Sequence, residues 1–160
     1  MEKYEFTGET KTVSFLFKDV TLHRIQAITS FANVVAGELG GWIEKEENLS
    51  HKGGAWVCGN ACVYGNARVC GDACVYGNAC VCGNAEVFSA RHVLVIGAIG
   101  SRDDFTTFYR DKDNEITVKC GCFLGKIDKF LENVTQTHSD SKYASVYRAA
   151  VEVAKLQIDL

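Results

Sequence analysis

The chain has 160 residues, of which 47% are apolar and 23% charged, with a formal charge of −3 and no proline. This composition fits one globular domain, or one domain with an appendage, and excludes a disordered chain or a proline-rich linker. No apolar run reaches the roughly 18 residues needed to span a membrane, and no block of Lys and Arg is present to hold duplex nucleic acid.

The first residues, Met1 to Phe6, lack the apolar core of a secretory signal, so a cytoplasmic location is expected. In that reducing compartment the eight cysteines are expected to be free thiols. Their spacing shows no pair of Cys-x-x-Cys knuckles, so neither a metal site nor a cofactor is expected. Cys120 and Cys122 lie two apart, which in a strand puts both on one side; packing of small apolar thiols accounts for them.

Residues 1 to 52 alternate short apolar runs with turns: Val13 to Phe17, Leu22 to Ile28, and Trp42-Ile43. They read as irregular β-coils that begin or cap a β-helix, since a bare end would expose unpaired strand edges. Glu44 to Glu47 reads as a solvated turn.

Residues 53 to 93 carry a strict period of six. Val57, Val63, Val69, Val75, Val81, Val87 and Val93 recur without a gap. Gly stands two residues after each Val from Gly59 to Gly83, then Asn or Asp, then Ala, until Ser89 breaks the run. A six-residue period fits neither a lone amphipathic helix nor a meander of hairpins. It fits short strands joined by tight corners, with Val inward, small Ala inside the bend, and Gly-Asn supplying left-handed backbone angles. Three hexads make one coil of 18 residues that buries its apolar stripe only by stacking on the next. Residues 18 apart should then stack at roughly 4.8 Å, Cys62 over Cys80 and Arg68 over Glu86.

These hexads resemble the hexapeptide-repeat, left-handed parallel β-helix family. The resemblance implies the handedness and a triangular prism. The expected fold is therefore mainly β: a parallel β-helix with its caps over residues 1–93, then a small α+β appendage over residues 94–160. The outward positions, Cys58, Tyr64, Cys70, Tyr76, Cys82 and Phe88, are too apolar for a solvated face. At least one side should pack on another subunit or on the chain's own flanks, and the resemblance implies a homotrimer.

After Val93 the pattern changes. Val93 to Ile96 reads as a buried strand and Gly97 to Arg102 as a loop. Thr106–Arg110 and Ile116–Cys120 read as a β-hairpin about the turn at 111–115. A helix is expected from about Ile127 to Thr137, and a second behind Ser141 with Tyr143, Val146, Tyr147, Ala150, Val153 and Ala154 on one face. Leu39 to Glu44 and the block Gly121-Cys122-Phe123-Leu124-Gly125 resemble a group of bacterial and phage-encoded hexapeptide-repeat proteins, which implies a phage context and no reaction.

The best ligand candidate is the loop from Gly97 to Arg102 with the hairpin behind it. Gly97 and Gly100 allow close backbone approach, Ser101 offers a hydroxyl, and Arg102 a fork suited to phosphate or carboxylate. Arg110 and Lys119 could add charge; Thr107 lies between, and Phe105, Phe108, Tyr109 and Phe123 could stack on a base. The plainer alternative is a loop with its aromatics in the core and Arg102 paired to Asp103 or Asp104. His23, His51, His92 and His138 are the available acid–base groups, and each reads more simply as a surface or turn residue. The resemblance implies that a histidine near a subunit boundary could deprotonate an acceptor, with acyl-coenzyme A lying between coils.

Three functions are compatible with these residues. The first, preferred on the sequence, is a non-enzymatic protein that captures a small anionic ligand, such as a nucleotide immune signal, between the β-helix and the appendage. The second is an acyltransferase using acyl-coenzyme A. The third is a structural trimer.

Overall fold

A computed structural model describes all residues, 1–160. Six two-residue strands carry the repeat: β4 (Trp56–Val57), β5 (Cys62–Val63), β6 (Arg68–Val69), β7 (Cys74–Val75), β8 (Cys80–Val81) and β9 (Glu86–Val87). They pair in parallel, β4 with β7, β5 with β8 and β6 with β9. Cys62 faces Cys80 and Arg68 faces Glu86, the neighbours that a spacing of 18 residues predicts. The amides of Trp56, Cys62 and Arg68 each donate over 2.9 Å to the carbonyl oxygens of Ala73, Ala79 and Ala85.

The valines explain why such short strands hold. Val57, Val63, Val75, Val81 and Val87 have no exposed surface, and Val69 has 1%. They form one core with Ala61, Ala67, Ala73, Ala79 and Ala85. Each buried Val is worth about 1.5–3 kcal/mol, but only once its neighbours have stacked. Gly71 shows why the corner needs glycine: its φ is +64°, and a Cβ there would run into the carbonyl oxygen of Phe88.

The N-terminal flank differs from the expected irregular coils. It begins with a long antiparallel hairpin, β1 (Tyr4–Phe15) and β2 (Lys18–Ala27), whose second strand pairs with β3 (Leu39–Ile43). β3 then stacks in parallel on β5, with Trp42 opposite Cys62. The turn residues are Leu16 and Phe17, at φ 49° and 64°. Both positions favour Asn or Gly, so the usual hairpin signal is missing from the sequence. Of the stretch expected to be a solvated turn, Lys45, Glu46 and Glu47 are exposed, while Glu44 and the following Asn48 are tied down. Glu44 accepts a hydrogen bond from the Gly65 amide at 2.7 Å. The buried Asn48 amide donates to the carbonyl oxygens of Gly65 and Ala67 at 3.2 and 2.8 Å.

The C-terminal part is a four-stranded antiparallel sheet backed by two helices. Its strands are β10 (Val93–Ile99), β11 (Asp104–Arg110), β12 (Ile116–Cys120) and β13 (Phe123–Lys126), paired in that order. The expected hairpin pairs Thr106 with Cys120 and Arg110 with Ile116. Gly97 lies in β10 rather than in a loop, and 123–126 add a strand that carries no signal in the sequence. The helices are α1 (Ile127–His138) and α2 (Lys142–Gln157); Ser141 holds the N-cap position of α2, but its side chain makes no capping bond.

Period-two alternation gives this sheet two buried faces. Phe108 and Val118 pack against the helices with Phe130, Val134, Tyr147 and Val151. Val93 and Tyr109 join the repeat's own core, with Val95 and Leu124 packed against it. Leu124 also touches a small cluster of Leu22, Tyr64 and Cys82, against which Val13, Phe15 and Val20 of the hairpin pack. The side of the repeat bearing Cys62, Tyr64, Cys80 and Cys82 is therefore covered by the chain's own two flanks. Of the other outward residues, Cys58 and Cys70 are half-buried, and Tyr76 and Phe88 keep 42% and 38% of their surface exposed.

Candidate functional site

The candidate residues divide by strand face and strand end. Tyr109 has no exposed surface, and its hydroxyl donates to the carbonyl oxygen of Cys82 at 2.8 Å. Thr107 is also buried, and its hydroxyl oxygen accepts from the Cys80 amide at 2.9 Å. Both join the sheet to the repeat and neither faces a ligand. Phe108 is likewise core. Arg110 sits at the far end of β11 and is fully used. It donates to Asn114 at 2.8 Å and to the Glu86 carbonyl oxygen at 3.2 Å, pairs with the Glu86 carboxylate at 3.6 Å, and lies over the Phe88 ring at 5.1 Å. It is an internal clasp.

The remaining residues converge. Gly121, in the β12–β13 turn, has φ +57°, and its Cβ position would lie 3.2 Å from an Arg102 Nη. On the other side the Lys119 ammonium donates to the Gly121 carbonyl oxygen. Arg102 has no hydrogen bond or ion pair within the chain; Asp103 and Asp104 leave it free, and Asp104 accepts instead from the Phe105 amide at 2.7 Å.

Three depressions meet at Gly121. The first, of about 210 Å³, has an aromatic floor of Phe123, Phe130 and Tyr147 and a rim of Ser101, Arg102, Asn133 and His138. The second, of about 590 Å³, lies between Lys119 and the β1–β2 turn. The third, of about 420 Å³, is bordered by Asn78, Cys80, Asp104, Phe105 and Lys119. Gly100, at φ +79°, closes over the Tyr147 hydroxyl and shapes the first depression. Gly97 packs beneath the Phe105 ring, so it supports the cleft without lining it.

The reactivity of the lining is set by burial. The neighbouring Cys82 thiol and then burial push the Cys80 thiol up, so it stays protonated and is a poor nucleophile. Burial, and then Cys120, push the Tyr147 phenol up to about 12, so it also stays protonated. No group of three or more His, Cys, Asp or Glu side chains is arranged to hold a metal ion.

The histidines differ in what they can do. The Nδ1 atom of His51 accepts from the Lys3 amide at 3.2 Å, and that of His92 from the Phe88 amide at 3.1 Å. An accepting Nδ1 puts the proton of the neutral ring on Nε2, so these two rings present a donor and no basic nitrogen. His23 stacks on Phe6. His138 stacks on Tyr147 at 5.7 Å, lines the first depression, and has neither ring nitrogen engaged within the chain. In the sequence it is one of four undistinguished histidines. Helical spacing sets it apart, because Phe130, Val134, Thr137 and His138 share one face of α1.

Over 70 residues the chain is 37% identical to a protein of Escherichia coli (strain K12) described as the uncharacterized acetyltransferase YdcK. The match covers 41% of this chain and 22% of that protein, so the likeness takes in about a fifth of the relative's length. No protein-family model matches the chain. No helix is long and apolar enough to cross a membrane.

Proposed function

We propose that the three parallel ladders are the faces of a left-handed parallel β-helix, and that the protein is an acyltransferase that binds acyl-coenzyme A at the cleft around Gly121. The convergence of Arg102 and Lys119 on Gly121 carries this reading. Two cations, one of them without any partner, stand beside open concave surface, and that is a site for phosphate. The likeness to an acetyltransferase supports acyl-coenzyme A as the phosphate-bearing ligand. His138, beside the 210 Å³ depression, is the base available to an acceptor held there. It takes the proton from an acceptor hydroxyl or amine as that atom attacks the thioester carbonyl. The C–S bond then breaks, and the coenzyme A sulfur leaves with that proton. The exposed Tyr76 and Phe88 support self-association of the uncovered faces, as a trimer.

A second reading, capture of a nucleotide without turnover, has one observation in its favour: His51 and His92, at the two ends of the repeat, are both fixed in the tautomer that cannot act as a base through Nε2. Calorimetry and product analysis separate the two. Acetyl-coenzyme A should bind, with affinity falling tenfold or more in Arg102→Ala and in Lys119→Ala, and acetyl transfer should be lost in His138→Gln with binding retained. Binding of nucleotides alone, recovered unchanged, would replace the enzyme with the capture protein. Affinity indifferent to both cations would remove the site.

A further inference from the structure

The β1–β2 turn puts two large apolar residues where turn chemistry asks for the opposite. Leu16 and Phe17 both have left-handed backbone angles, positions at which Asn-Gly or Asp-Gly is favoured. Neither is buried: Leu16 is 66% exposed and Phe17 wholly so. A local rule broken twice in succession, at a cost in both backbone strain and solvation, is expected where function requires it.

The surroundings supply the function. With Phe15 behind them, Leu16 and Phe17 form one wall of the 590 Å³ depression, and Leu124 and Cys122 line the opposite side. The wall is fixed in place, because Phe15 packs edge-on against the buried Tyr64 at 5.0 Å. The same depression is bordered by Lys119 and Gly121, where the cationic cleft begins. Asp19, at the rim, is engaged by the Ser14 hydroxyl at 3.3 Å. One continuous surface is thus apolar at one end and cationic at the other. With one water occupying roughly 30 Å³ and a methylene about the same, the 590 Å³ of the whole depression leaves room for an alkyl tail of several carbons at its apolar end.

We propose that the anion site continues into a tail site, so that the protein also takes an amphiphilic anion, with its charged head between Lys119 and Arg102 and an unbranched hydrocarbon tail between Leu16, Phe17, Phe15 and Leu124. This rests on the anion site proposed above and adds the tail to it.

The test is calorimetric titration with ethyl, hexyl and octyl phosphate, each below its aggregation limit. Affinity should rise along the series, by up to about fourfold for each methylene that leaves water. The combined variant Leu16→Asn, Phe17→Gly installs the favoured turn pair, so it should melt no lower than the wild type. It should keep its affinity for ethyl phosphate and lose the dependence on chain length. If ethyl phosphate binds and chain length has no effect, the tail site is overturned and the anion site stands. If no phosphate binds, both fall. If the wild-type protein sediments with phosphatidylcholine vesicles, the variant does not, and chain length has no effect in solution, the turn is a membrane-surface anchor and the proposal is overturned.

Discussion

The phenol of Tyr109 donates a 2.8 Å hydrogen bond to the carbonyl oxygen of Cys82, joining the C-terminal sheet to the end of the repeat. Both residues have no exposed surface. The bond lies beside the Thr107–Cys80 contact, and the same strand adds polar links from Arg110 to Glu86. Removing the phenol oxygen leaves a buried carbonyl without this donor, which costs about 1–3 kcal/mol. Tyr109→Phe should therefore lower stability by that amount in urea denaturation. Thr107→Val should do so too, by orphaning the Cys80 amide. If both parts of the molecule unfold together, one cooperative transition should shift in each variant; an unchanged midpoint would show that neither link stabilises the seam.

Lys3 is a buried cation without an anion. The residue is 4% exposed, and its ammonium donates to the carbonyl oxygens of Ala55 and Gly53 at 2.6 and 3.3 Å and lies over the Phe31 ring at 4.7 Å. Burial lowers its pKa to about 8. A lysine whose folded pKa is depressed binds fewer protons folded than unfolded between about pH 8 and 10.5, so its contribution to stability rises with pH across that window. The slope approaches about 1.4 kcal/mol per pH unit at most. Ionising thiols act in the opposite direction over the same range, so the comparison must be with Lys3→Met. The wild type should gain stability relative to that variant as pH rises from 8 to 10.5, read from urea denaturation at each pH. A constant difference between the two would refute the assignment.

How much of the molecule is legible in its sequence depends on whether the information is local. Val57 to Val93 recur at fixed spacing, and such a period specifies pairing partners without knowledge of the rest of the chain. Cys62 opposite Cys80 comes from that arithmetic. The β1–β2 hairpin is not legible, because Leu16 and Phe17 occupy turn positions that ordinarily take Asn or Gly. Thr107 and Tyr109 read as ligand groups because alternation reveals which side chains share a face, but not what covers that face. The sequence offers Arg102 as the anion fork and Arg110 as added charge, and only the three-dimensional fold shows that Glu86 takes up Arg110. Gly121 reads as part of a family-like block, and its place between Arg102 and Lys119 emerges only when β12 and β13 are paired.

Gly100 offers a direct check that the loop shapes the first depression. Its φ of +79° already disfavours any side chain, and a Cβ would overlap the hydroxyl and ring of Tyr147. Gly100→Ala thus combines backbone strain, about 1–2 kcal/mol, with a collision that moves Tyr147. The two parts separate in a double-mutant cycle with Tyr147→Leu, which removes the colliding atoms. The alanine should then cost only the backbone part, leaving a coupling energy on the order of 1 kcal/mol or more. Because Tyr147 and His138 are stacked, displacement of the phenol should also move the histidine. Ligand affinity at the cleft should fall in Gly100→Ala and recover in part in the double variant. Additive stabilities, with affinity unchanged, would mean that Gly100 and Tyr147 do not shape the site.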